Sequence, residues 1–60
     1  MSVVYNPESE LIAEIERLEL DARAIRRTIE HARNQEDRRV LNRQLKEIQD
    51  RIGFLRHRLP

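Results

Sequence analysis

Apolar residues recur along this chain at alternating steps of four and three. Leu11, Ile15, Leu18, Ala22, Ile25, Ile29 and Ala32 form one ladder, and Leu41, Leu45, Ile48, Ile52, Leu55 and Leu59 form a second after a gap. A mean step of 3.5 residues is the narrow seam of a coiled coil, not the broader stripe of an ordinary surface helix. Each ladder therefore predicts one long helix, and the fold class expected is all-α.

Local signals set the boundaries. Asn6 supplies a side-chain acceptor for free amides, Pro7 suits the first helical position, and Glu8 and Glu10 favour the positive end of the helix dipole. The first helix is thus expected over 7–33, after a flexible N-terminal lead-in over 1–6. A turn is expected at 34–35 and a second helix over 36–59. Asn34 suits either of two roles there, a left-handed end to the first helix or a cap for the second.

The gap contains neither glycine nor proline, so one continuous rod of about 50 residues, roughly 75 Å long, is the competing architecture. Phase argues against it. With Ile15 and Leu45 in equivalent seam positions, the second ladder is shifted by two residues against the first, which neither a four-residue nor a three-residue insertion bridges. Folded back, the chain pairs Leu11 with Leu59, Ile15 with Leu55, Leu18 with Ile52, Ala22 with Ile48, Ile25 with Leu45 and Ile29 with Leu41, centred on Gln35 inside the gap. Beside the seam, Glu14 then meets Arg58, Asp21 meets Arg51, Glu19 meets Gln49, Arg26 meets Asn42 and Thr28 meets Gln44. A parallel dimer of rods would instead set Glu14 against Glu19 and Arg51 against Arg56. The prediction is an antiparallel two-helix hairpin with coiled-coil packing.

Two helices cover only one side of each seam residue, and eleven of the thirteen are Leu or Ile. The hairpin is therefore expected to assemble further, into a four-helix bundle, most simply as a homodimer with Leu11, Ile15, Leu18, Ile25, Ile29, Leu41, Leu45, Ile48, Ile52, Leu55 and Leu59 as its oligomer core. Ile12, Leu20, Val40 and Phe54 lie off the seam and are the candidate partner contacts.

Charge adds a direction. The net charge is +1, but the stretch from Arg23 to Arg43 holds seven arginines and three acids, against five basic and eight acidic residues elsewhere. The hairpin is then positive at its turn and negative at its open end, which favours two copies lying inverted. Arg23, Arg26, Arg27, Arg33, Arg38, Arg39 and Arg43 are the candidate contacts for an anionic partner, because the planar guanidinium binds carboxylates and phosphates bidentately. Intrahelical pairs such as Arg26 with Glu30, and Arg39 or Arg43 with Glu36 or Glu47, are the alternative use of those side chains.

Catalytic chemistry has little to draw on. His31 and His57 fall on outer helical positions with no metal-ligand spacing, and the chain has no cysteine. Ser2, Ser9 and Thr28 have no histidine base placed beside them, and no Glu-x-x-His element or phosphate-cradling glycine loop occurs. No enzyme activity, cofactor or metal is expected. The longest apolar run, Val3-Val4-Tyr5, is too short for a signal peptide or membrane span, so a cytoplasmic location is expected and a membrane partner is not.

The functional expectation is a small helical protein–protein interaction module, an oligomerising adaptor, regulator or inhibitor. Its partners would be itself and, for the arginine-rich end, an acidic protein surface. The alternative is an RNA-binding or other nucleic-acid-binding hairpin dimer using that end, although interleaved acids and the lack of aromatic stacking residues favour it less. In layout, two equal ladders about a short gap, the chain resembles small plasmid copy-number regulators that dimerise into a four-helix bundle and bind paired RNA loops. The resemblance is one of architecture, with no shared motif, and implies self-association.

Overall fold

A computed structural model of the chain describes residues 6–60, and every described strand-forming or helical residue belongs to one of two helices. Helix α1 spans Pro7–His31 and helix α2 spans Gln35–His57. They pack against each other in opposite directions as a hairpin. The long axis measures 53 Å, well short of a continuous rod.

The start of α1 follows the sequence signals. Asn6 is extended, and its side-chain oxygen accepts from the amides of Glu8 at 3.1 Å and Ser9 at 3.3 Å. Asn6 is therefore a cap and not part of a lead-in; the rest of the expected lead-in, 1–5, lies outside the described residues.

The turn differs from expectation by two residues on one side and one on the other. Helix α1 ends at His31 rather than 33, because Ala32 already adopts an extended conformation (φ −68°, ψ 128°). Asn34 takes the second of its two roles. Its side chain accepts from the Asp37 amide at 2.8 Å while its Nδ2 donates to the Asp37 carboxylate at 2.9 Å, so α2 opens at Gln35. A cap residue must be extended, so the chain has to leave the first helix before reaching it. Arg38 then reaches back across the turn and donates to the Ala32 carbonyl at 3.2 Å. No described residue has positive φ, which is why the turn needs no glycine.

At the far end α2 stops at His57 rather than 59. The amides of Arg58 and Leu59 bond three residues back, to Leu55 and Arg56, in a tightened last turn. Leu59 still packs on the core.

The seam is composed as the ladders predict. All thirteen ladder residues are buried or half-buried, and the only other described residues not exposed are Glu14 and Glu19. Burial is uneven along the seam, however. Ile15, Ile52 and Leu55 form a closed cluster near the open end of the hairpin, backed by Leu11, Leu18, Ile48 and Leu59. Leu55 is the most enclosed large side chain, at 1% exposure. Towards the turn, Ile25, Ile29, Leu41 and Leu45 are half-buried, as are Leu11, Leu18, Ile48 and Leu59 around the cluster. No described helix is long and apolar enough to cross a membrane.

Candidate interaction surface

Two helices lying side by side expose a broad face on each side of their seam. On the first face, α1 presents Glu14, Arg17, Asp21, Ala24, Thr28 and His31, and α2 presents Asp37, Val40, Gln44, Glu47, Arg51, Phe54 and then Arg58; both stripes advance by alternating threes and fours. Contacts across the seam tie the stripes together, with Arg51 to Glu14 at 3.7 Å near the open end and a groove shared by Thr28, His31, Asp37 and Val40 near the turn. The second face carries Ile12, Glu16, Glu19, Arg23, Arg26 and Glu30 from α1 and Arg39, Asn42, Lys46, Gln49, Gly53 and Arg56 from α2. Here Arg56 pairs with Glu19, and a smaller groove of about 380 Å³ opens over Ala22 and Gly53.

These ion pairs are not those expected. Glu14 takes Arg51 instead of Arg58, Asp21 is left without Arg51, and Glu19 takes Arg56 instead of Gln49. Charge complementarity is kept, but a long arginine reaches along the seam to the carboxylate. Arg58 goes elsewhere. Its guanidinium lies 5.9 Å from the centre of the Phe54 ring, and that of Arg51 lies 5.3 Å from the same ring. Two cations within about 6 Å of one aromatic ring make cation–π contacts worth a fraction of a kcal/mol up to about 1 kcal/mol each at an exposed site. Spacings of three before and four after Phe54 place both arginines beside it, a signal present in the sequence but missed there.

The expected apolar contact residues do not form one patch. Ile12 lies on the second face and Leu20 points outward from α1, whereas Val40 and Phe54 share the first-face stripe of α2. Their exposures are 53% for Val40 and 54% for Phe54. The 14 residues between them correspond to about 21 Å of helix. At Val40 the surface is concave. Thr28, His31, Ala32, Val40 and Leu41 line a groove of about 670 Å³, opened by the early departure of Ala32 from the helix. Nothing in the ladder pattern announces it, since it depends on where α1 stops.

The turn arginines divide. Arg38 is engaged with the Ala32 carbonyl. Arg23, Arg26, Arg27, Arg33, Arg39 and Arg43 are exposed, and the intrahelical pairs expected for Arg26, Arg39 and Arg43 do not form. The second face holds five basic and three acidic side chains; the first holds three and four.

Protein-family models, curated proteins and solved structures give no match to this chain. The surface itself therefore carries the functional argument. His31 and His57 are exposed, and no group of three His, Cys, Asp or Glu among the described residues is arranged to hold a metal.

Proposed function

We propose that the chain is a small cytoplasmic protein–protein interaction module without catalytic activity, an adaptor, regulator or inhibitor that self-associates. Two hairpins would close their seams on each other as an antiparallel four-helix bundle with coiled-coil packing. The observation that supports this most directly is the half-open seam: Ile25, Ile29, Leu41 and Leu45 are only half-buried in a single hairpin. Burying a fully exposed large aliphatic side chain is worth roughly 1.5–3 kcal/mol, so covering what remains open on these four gains a fraction of that at each. Small domains also seldom supply more than about 3–5 kcal/mol from one core.

The alternative rests on the six turn arginines that have no partner among the described residues. They would suit RNA phosphates as well as an acidic protein surface.

One experiment separates these readings. Light scattering of the purified chain should give about twice the 7.3 kDa chain mass, unchanged by added RNA at physiological salt. The variant Arg39→Glu/Arg43→Glu should keep that mass. A monomer at every accessible concentration would sink the self-association reading. Micromolar RNA binding that weakens steeply with salt and is lost in the charge-reversed variant would establish the nucleic-acid alternative instead.

A further inference from the structure

A bundle can form on either face of the hairpin, and the two faces are not equivalent. Resting on the self-association proposed above, we infer that the second copy lies inverted on the first face, with Phe54 of each chain seated in the turn-end groove of the other. Ala32, Val40 and Leu41 supply the apolar part of the groove's lining, with Arg33 and Asp37 among the polar part, and Phe54 stands half-exposed on the same stripe of α2. One groove and one ring per chain, on one stripe, are the two halves of an isologous contact.

The register follows from the spacing. Seam pairing sets Glu47 of α2 level with Arg23 of α1. A two-fold axis crossing the hairpin at that level brings Phe54 of one copy opposite Val40 of the other, and the reverse. The same rotation sets Asp37 opposite Arg58, Gln44 opposite Arg51, Glu14 opposite His31 and Arg17 opposite Thr28. Asp21 falls opposite Ala24. The single like-charge contact is Glu47 with its own copy on the axis, one helical turn from Arg51.

Applied to the second face, that rotation sets Arg39 opposite Arg56, Glu16 opposite Glu30 and Arg23 opposite itself, against one opposite-charge pair, Glu19 with Arg26. Like charges brought together across an interface oppose binding. The first face is therefore the complementary one. Its short side chains at Ala24 and Thr28 also let the helices approach. Inversion agrees with the polarity of the hairpin, whose turn half carries seven arginines against three acids. In this arrangement the basic second face remains on the outside of the dimer.

The test begins from the wild-type mass. In a dimer, Phe54→Ala should weaken association at least tenfold with helix content unchanged, because Phe54 lies outside the core of its own hairpin. Leu20→Ala, an equally exposed apolar change off both faces, should leave association as it was. The chain has no cysteine, so paired thiols are unambiguous. Arg17→Cys/Thr28→Cys, opposite each other in this register with Phe54 and Val40 left in place, should give a closed covalent dimer with all thiols consumed when treated with a short bismaleimide. Within one chain those sites are about 16 Å apart on a straight helix, beyond the linker. Asn42→Cys/Gly53→Cys, its counterpart on the second face, should stay monomeric on denaturing gels. A wild-type dimer that is indifferent to Phe54→Ala, or that cross-links only through 42 and 53, overturns the face assigned while leaving self-association standing. A dimer that cross-links through neither pair overturns the inverted register. A monomeric wild type removes the premise itself.

Discussion

Replacing Leu55 with alanine is expected to cost about 3 kcal/mol of stability. Among the described residues Leu55 is the one large side chain wholly enclosed within a single hairpin, and it joins Ile15 and Ile52 in the only closed cluster there. Truncating a buried leucine forfeits its transfer free energy and leaves a void, together typically 2–5 kcal/mol. For a domain of this size, each kcal/mol moves the melting midpoint by roughly 4–8 °C. The helical signal in circular dichroism should then melt about 10–25 °C lower. A shift below about 5 °C would mean that this cluster does not hold the hairpin together.

Leu45→Ala has a cost that depends on what covers it. In an isolated hairpin Leu45 is half-buried, so truncation should cost on the order of 1 kcal/mol. In the proposed bundle the second copy would close over that part of the seam, and the cost should rise towards that of Leu55→Ala. The expected result is a loss of about 3 kcal/mol at protein concentrations where the chain is dimeric, falling as the sample is diluted. Chemical denaturation at two concentrations a hundredfold apart would measure it. A small, concentration-independent loss would place Leu45 at a permanently open seam and count against pairing.

Much of this architecture is legible in the residues themselves. Alternating threes and fours single out the thirteen seam positions, since a side chain repeating every 3.5 residues stays on one side of a helix. The start of α1 is legible too, because Asn6, Pro7, Glu8 and Glu10 act locally. The end of α1 is harder. Ala32 and Arg33 are good helix formers, and propensity alone carries the helix through them. Asn34 decides otherwise: capping α2 satisfies amide groups that would be orphaned, an effect of about 1 kcal/mol that outweighs one more turn of α1. The groove over Val40 and Leu41 follows from that choice, so it could not be read before the turn was known. The ion pairs differ from those expected for a different reason. A helical wheel fixes where a side chain begins, but Arg51 and Arg56 are long enough to select among carboxylates along the seam.

The closed cluster sits near the open end of the hairpin, far from the turn. Ile15 and Leu55, its first and last members, are separated by 40 residues of chain, the kind of contact whose formation waits on loop closure. The hairpin is thus fastened where its two strands of chain are least connected and loosest where they are joined. Its more enclosed core lies towards the open end, away from the bend. Amide hydrogen exchange should follow that gradient, slowest around Ile52 and Leu55 and fastest through the helix turns that flank Asn34. Equal protection at both ends of a lone hairpin would contradict it. A second copy lying inverted would lay its own fastened end over this loose one, so that each chain steadies the part of the other least able to hold itself.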